Sequence, residues 1–459
     1  MSGLPQGPLV AWYGDDFTGA AATMEAMSFA GLPAAVFLDP PGPDMLARFP
    51  GLRGIGIAGT ARAQTPDWMR ARLPDIFRAL AATDAPLLQY KICSTLDSAP
   101  QIGSIGAAME VARETLGTRL FPILPAAPTM GRYQAFGTLF ASAPGGIYRL
   151  DRHPVMSRHP TTPMGEADVA RHLAEQTTLP LANLMLAELH GGTAAARLAQ
   201  WRQDGPMGVT LDAVTEADLA EIGRLVWALR GSDLLCVASQ GLQYALLAHW
   251  RAEGVLPPAP PGLSAGRAGP IAVVSGSVSP VTAGQIAHAE AAGFSIIPLD
   301  PRALVETPGP AVAAAVAAAL PLIGAGSDVL FCTARGPDDP AVARFTRWAA
   351  ERDMPPAALS QALGAGLGDI LRQIVRTTGL RRAVISGGDT SGHAARRLGL
   401  FALTALAPTI PGASLCTAHA HDSAIHGLQL ALKGGQMGTE DYFSWIRDGG
   451  GLRRHSHLV

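Results

Sequence analysis

Short apolar runs recur along the chain, each followed by a longer stretch with helical spacing. In the first half the runs are LVAWYG, AAVFLD, GIGIAG, LLQYKIC, RLFPILPA, MGVTLDA and DLLCVAS. Several are apolar throughout, as strands are when both faces of a sheet are covered. Between them lie Ala-rich segments such as AAATMEAMSFAG from Ala20 and IGAAMEVARETLG from Ile105. Strand alternating with helix predicts α/β order.

The alternation lapses over RAEGVLPPAPPGLSAGRAGP, Arg251 to Pro270, where Pro, Gly and small residues dominate. It restarts with IAVVSGS, a helix from Val281, SIIPLD, an Ala-rich helix, DVLFCTA, a helical stretch from Ala357, and RAVISGG. The expectation is two α/β domains with largely parallel sheets, residues 1–250 and 271–459, joined by a Pro/Gly-rich linker over 251–270. The stretch from Gly438 reads as a partial return across the structure.

Composition narrows the function classes. The chain has 459 residues, of which 48% are hydrophobic and 16% charged, so it can bury a large core and is not disordered. A formal net charge of -2, without a Lys/Arg cluster, argues against nucleic acid and acidic membranes as partners. Cys93, Cys236, Cys332 and Cys416 are widely spaced, as free thiols of a reducing compartment are. No basic segment precedes an apolar core near Met1, so a cytoplasmic location is expected. The Ala-rich run from Ala311 is broken by Pro321 and falls short of the ~20 residues that span a bilayer. Only two cations are lysines, Lys91 and Lys433. Both lie in Gly- or Ser/Thr-rich segments, where a compact ammonium can approach a single oxygen that a planar guanidinium cannot.

Six segments carry candidate chemistry. In GDDFTGA, Asp15 and Asp16 end a strand and precede a helix. One aspartate suffices as an N-cap. The second is costly through repulsion unless a cation or a hydroxyl-rich ligand shares the site. YKICSTLDSAPQIGSIG delivers Lys91, Ser94, Thr95, Asp97 and Ser98 in quick succession, then opens a helix whose N–H groups favour an anion. That set suits a carboxylate with vicinal hydroxyls, and equally a Ser/Thr-rich turn. Arg132 stands on a Gly-flanked turn in PTMGRYQAFG, where it can clamp a carboxylate.

The second half repeats a strand-to-glycine theme. VVSGSVSPVTAGQ carries Ser277 and Ser279, and VISGGDTSGHAA carries Ser386, Gly387, Gly388, Asp389 and Thr390 before a helix. Glycines let backbone N–H groups approach a phosphate, hydroxyls add donors, and Asp389 can either hold Mg2+ through water or order the loop. ALKGGQMG adds Lys433 and Gly435. Neither a Walker A sequence nor GxGxxG is present, and no zinc spacing occurs, so no metal ligand is assigned. His419 and His421 beside Asp422 are thin evidence for a metal.

GDDFTGA, KxCSTxDS, a PxxGR turn, SGS, SGGDTSG and LKGGQxG occur in this order. Together they resemble the four-carbon acid sugar kinase family, which includes 3-oxo-tetronate and threonate/erythronate kinases. The resemblance covers essentially the whole chain. It implies an N-terminal sugar-acid domain, a C-terminal ATP domain and an active-site cleft between them. It places Asp15, Asp16, Lys91, Ser94, Asp97 and Arg132 on the acid side. Ser277, Ser279, Ser386 to Thr390, Lys433 and Gly435 fall on the nucleotide side. The implied reaction is phosphoryl transfer from ATP, with Mg2+, to the terminal hydroxyl of a four-carbon acid. Asp16 is favoured as the group that takes the hydroxyl proton, with Asp15 close behind.

The loop departs from the family pattern. Many members continue KxxST with a basic residue and Gly-Asn-Ile-Gly, where this chain has Asp97 and then Gly-Ser-Ile-Gly. Other readings are a kinase of another short acid, a catalytically silent sensor, and an isomerase or aldolase. The last has no need of a phosphate cradle. A homodimer is the generic expectation.

Overall fold

The computed structural model describes residues 3–453. The chain divides after Pro260 into two compact units. In the first, the strands are β1 (Val10–Gly14), β2 (Ala34–Phe37), β3 (Gly54–Ala58), β4 (Leu87–Lys91), β5 (Leu120–Leu124), β6 (Arg132–Ala135), β7 (Thr138–Ala143), β8 (Gly146–Arg149), β9 (Leu181–Leu184), β10 (Met207–Leu211) and β11 (Leu235–Ala238). Eight of them run parallel in the order β2-β3-β1-β4-β11-β5-β10-β9. β6, β7 and β8 form a separate antiparallel sheet.

The central strands β1, β3 and β4 are buried along their whole length, matching their unbroken apolar text. Helices cover both faces. The helix Pro66–Ala81 buries Met69, Leu73, Phe77 and Leu80, a stripe at helical spacing that packs with Tyr13 and Tyr90. Each such side chain contributes roughly 1.5–3 kcal/mol when buried.

The second unit contains β12 (Ala272–Ser275), β13 (Ser295–Pro298), β14 (Val329–Cys332), β15 (Arg382–Ser386), β16 (Leu400–Ala407), β17 (Leu415–Ala420) and β18 (Gln429–Lys433). Its order is β13-β14-β12-β15-β18-β17-β16, parallel as far as β18 and antiparallel beyond.

Both sheets reverse winding direction beside their first strand. β1 lies between β3 and β4, and β12 lies between β14 and β15. The crevice outside the carboxyl ends at such a switch point is where open α/β sheets bind ligands. The chemistry-bearing segments sit just past these strands: Asp15 and Asp16 after β1, residues 92–98 after β4, Ser277 and Ser279 after β12, and Gly387 after β15.

Some elements differ from the sequence expectation. β6–β8, β9 and β16–β18 are not among the apolar runs, because most are mixed in polarity or lie in the antiparallel return. That return precedes Gly438, after which the chain forms the helix Tyr442–Arg447. Pro321 does not break the Ala-rich helix, which runs Pro308–Gly324. The proline sits in the last turn, and Val316, Ala319 and Ile323 keep the buried stripe continuous across it. Residues 262–266 are strapped to the second unit, with Ala265 N donating to Gly449 O (2.9 Å) and the buried Arg382 donating to Gly266 O (2.7 Å). Among the described residues no helix is long and apolar enough to cross a membrane.

Candidate active site

At the first switch point the two aspartates have different surroundings. Asp16 is the N-cap of the helix Phe17–Ser28, its Oδ1 accepting from Gly19 N at 2.8 Å. Its side chain remains 28% exposed, whereas Asp15 is 1% exposed. The cation that two adjacent carboxylates require is Arg62. It donates from Nη2 and Nε to Asp15 Oδ1 and Oδ2 (2.6 and 3.2 Å) and from Nη2 to Asp16 Oδ1 (2.9 Å). Its Nη1 lies 2.8 Å from Asp16 Oδ2.

Sequence reasoning misses Arg62. A signal for it exists: it comes after the apolar run GIGIAG, so it arrives at the carboxyl end of β3, and β3 pairs with β1. Burial pushes the Asp15 carboxyl up to about 6, helped by Asp16 and opposed by Arg62 and Lys91.

Lys91 ends β4 and is buried, its Nζ donating to Ile92 O at 2.7 Å. Burial lowers its pKa, and Asp16 and Asp15 oppose that shift. A Cβ on Gly19 would lie 2.4 Å from Asp16 Oδ1 and 2.9 Å from Lys91 Nζ. The helix start is therefore glycine so that carboxylate and ammonium can close over it.

Arg132 donates from Nη1 to the carbonyls of Met130 and Gly131, both at 3.1 Å. Its Nε is buried without a partner, and no carboxylate faces it among the described residues. Ser94 is half-buried and makes no hydrogen bond among the described residues.

Other members of this loop are engaged elsewhere. Asp97 accepts from Thr162 Oγ1, with His159 Nδ1 at 3.9 Å, so it ties down the segment around residue 160. Ser98 bonds Leu96 O, His172 and Gln176. The helix Ile105–Leu116, expected from the sequence to offer its N–H groups to an anion, has them taken. Gln176 Oε1 accepts from Ile105 N and Gly106 N (2.9 and 3.4 Å), and Ser104 caps Ala107 N. Buried donors find protein partners where one is in reach.

In the second unit, register pairs Ser275 with Ser386 and Ser386 with Lys433, so three adjacent strands end on these side chains. Lys433 is 0% exposed. Its Nζ donates to Thr282 Oγ1 (3.3 Å) and Gly434 O (3.0 Å) and faces no carboxylate among the described residues. Burial without a counter-charge lowers its pKa to about 8. Ser386 Oγ and Thr390 Oγ1 are buried and unpartnered.

The helix begins at Gly388, earlier than the sequence pattern suggests, so Thr390 stands in its first turn. Asp389 is in the same turn, and its side chain lies outside the described residues. Gly387 has φ +150° with its Cβ position 2.1 Å from Thr390 Oγ1, so no other residue fits. A Cβ on Gly388 would meet nothing.

Ser277 and Ser279 are bonded within the protein. Ser279 caps the helix Pro280–Ala291 and donates to Gly435 O, and Thr282 Oγ1 lies within hydrogen-bond distance of both Gly435 O (2.9 Å) and Ser277 Oγ (3.0 Å). A Cβ on Gly435 would fall 2.5 Å from Ser277 Oγ. These hydroxyls hold the turn at 434–435 against the helix start. An uncompensated cation, two orphaned hydroxyls and a helix N-terminus fit a polyanion such as the phosphates of a nucleotide.

His419 instead bonds Thr404 (2.9 Å) and packs against the His426 ring. No group of three His, Cys, Asp or Glu among the described residues is arranged to hold a metal.

Comparison with known proteins gives the same division. Residues 10–246 match a family described as a sugar-binding N-terminal domain, and residues 272–443 one described as a nucleotide-binding C-terminal domain. A 3-oxo-isoapionate kinase of Paraburkholderia graminis is 46% identical over 448 residues, 97% of this chain and 95% of that protein. A 3-oxo-tetronate kinase of Methylobacterium radiotolerans is 32% identical over 95% of this chain and 97% of its own length. Solved structures from Salmonella typhimurium LT2 (TM-score 0.74, 24% identity, 95% of this chain and 98% of that one) and Haemophilus influenzae (0.72, 20%, 95% and 99%) share the fold. The chain belongs to the four-carbon acid sugar kinase family, its first unit carrying the sugar-binding domain and its second the nucleotide-binding domain.

Proposed function

We propose that this protein is an ATP-dependent kinase that phosphorylates the terminal hydroxyl of a short sugar acid. The acid is of the 3-oxo-tetronate, threonate or erythronate type, or the 3-oxo-isoapionate named for the 46% identical relative. The observation that carries the reading is Lys433, a buried ammonium that faces no carboxylate among the described residues and stands beside the orphaned hydroxyls of Ser386 and Thr390. Burying an unpaired charge is costly unless a ligand neutralises it. An isomerase or aldolase gives no reason for such a site.

Arg132 and Lys91 supply the charge for the carboxylate of the acid, and Ser94 a hydroxyl partner. Arg132 already has its guanidinium fixed by backbone carbonyls. Asp16 takes the proton of the attacking hydroxyl, because of the two carboxylates held by Arg62 it is the one that solvent and substrate can reach, 28% exposed against 1% for Asp15. Arg62 is a positioning residue that keeps the two carboxylates together. Asp97 acts through Thr162 and the segment it orders.

Phosphoryl transfer needs alignment and charge neutralisation more than covalent chemistry. The turn at 387–390 and Lys433 meet the phosphates. Mg2+ would supply charge neutralisation at the phosphate oxygens, and Asp389, the carboxylate that the sequence places in this turn, would be its protein contact through water.

The test is ADP release with Mg-ATP across D- and L-threonate, D- and L-erythronate, their 2- and 3-oxo forms and 3-oxo-isoapionate. Turnover with one acid at least tenfold above the rest supports the reading. Bound ATP with no turnover on any acid would favour a sensor.

Two further outcomes are expected. Lys91→Arg should raise KM for the acid about tenfold or more, since a guanidinium cannot fit the space beside Gly19 and Asp16; unchanged kinetics would remove Lys91 from the acid site. ATP affinity should be flat below pH 8 and fall by up to about tenfold per unit above it, as Lys433 loses the proton that faces the phosphates. A pH-independent KM for ATP up to pH 10 would contradict that role.

A further inference from the structure

A cavity of about 560 Å³ opens at the carboxyl ends of β13 and β14. Its lining includes Asp300, Arg302, Thr333, Arg344, Phe345 and Trp348. The volume lies in the ordinary range for small-molecule sites. It adjoins the phosphate cradle: Thr333 N donates to Ser275 O (3.1 Å), and Gly336 lies against Ala283, a Cβ there falling 2.9 Å from the alanine's.

The lining has distinct parts. Phe345 stacks on Trp348, with ring centroids 5.4 Å apart and planes 19° apart. Trp348 is buried and pinned, its Nε1 donating to Glu306 at 3.1 Å and Arg352 lying over its ring. Phe345 stays half-exposed and so offers aromatic surface to the cavity. Asp300 is exposed and uses Oδ1 for Arg302 N (2.9 Å). Arg302 and Arg335 are neutralised by Glu306 and Glu290, while Arg344 forms no ion pair among the described residues.

We propose that this cavity receives the nucleoside end of the nucleotide. The base stacks on Phe345, the ribose hydroxyls donate to Asp300, and Arg344 faces the phosphates nearest the ribose. This rests on the nucleotide reading of the same unit. The distances agree. β13 and β15 are three strand spacings apart, about 14 Å at roughly 4.8 Å each, a span that an extended nucleoside triphosphate covers. An aromatic wall beside a carboxylate is what a base with its ribose requires. A bare phosphate requires neither.

The experiment is calorimetric titration of the full chain with ATP, 2′-deoxy-ATP and inorganic tripolyphosphate. Phe345→Ala should weaken ATP about tenfold or more, the loss of one base–aromatic stack, and leave tripolyphosphate binding and Tm unchanged. Asp300→Asn retains the helix cap. It should lower ATP affinity and narrow any preference for ATP over 2′-deoxy-ATP. Wild-type ATP binding in both variants would overturn the proposal, as would wild-type protein binding tripolyphosphate as tightly as ATP. Either result leaves the phosphate cradle standing. Wild-type protein binding neither ligand would overturn the cradle and this proposal together.

Discussion

Asp16→Asn should fold like the parent and lose most of its turnover. Asparagine caps a helix about as well as aspartate, so the bond to Gly19 N survives and Tm should stay within a few degrees. What disappears is the carboxylate that accepts the hydroxyl proton, worth typically 10²–10⁴-fold in rate. ATP affinity should stay within about twofold, because the groups assigned to the phosphates, Lys433 and the turn at 387–390, make no bond to Asp16. Asp16→Ala would confuse the matter by removing the cap, at about 1 kcal/mol, together with the base. Asp15→Asn should differ in kind. It removes a buried partner of Arg62 and leaves a cation partly uncompensated, so a loss of stability is expected with the loss of activity. If Asp16→Asn retains full kcat, the proton goes elsewhere, and Asp15, with its carboxyl raised to about 6, becomes the alternative.

Lys433→Met should move two observables in opposite directions. Methionine fills much the same volume without charge. The unliganded protein should therefore become more stable below pH 8, where the parent buries an ammonium with no counter-ion. Linkage fixes the sign. The folded-state pKa lies below the ordinary 10.5, so the parent gains stability as pH rises from about 8 to 10.5, and the variant should show no such rise. ATP should at the same time lose about ten- to a hundredfold in affinity, the usual worth of a charge-assisted hydrogen bond. ATP should then raise the variant's Tm far less than the parent's. A variant that is less stable and still binds ATP normally would make Lys433 a structural residue, its bonds to Thr282 and Gly434 being its whole purpose.

Much of this arrangement is legible along the chain, for a local reason. Strands buried on both faces write themselves as unbroken apolar runs, and the residues at the end of each run stand at the carboxyl edge of a parallel sheet. Asp15, Lys91 and Ser386 are visible in that way, whereas Lys433, at the end of β18, is legible only as one of two lysines and by the glycines after it. What local text does not carry is adjacency between strands. Arg62 comes after its own apolar run, yet its meaning depends on β3 lying beside β1, and the order 2-3-1-4 is decided by packing. The same holds for Gln176, which reaches back some 70 residues to occupy the helix start that sequence alone offers to an anion. Asp97 reads as a ligand in a polar loop, and its tie to Thr162 depends on where a Pro-rich segment folds back. The hydroxyls of Ser277 and Ser279 read in sequence as nucleotide contacts. In the fold they are also bonded to the turn at Gly435 and to Thr282, partners that only tertiary structure supplies.

The central claim is transfer of a phosphoryl group from ATP to a hydroxyl of a sugar acid. The most direct measurement is phosphorus NMR of the reaction of purified protein with Mg-ATP and whichever acid gives the fastest ADP release. A new phosphomonoester resonance is expected, coupled to the protons of the terminal carbon and growing in step with ADP. Inorganic phosphate appearing in its place, with the acid recovered unchanged, would show that the γ-phosphoryl goes to water and would contradict the account.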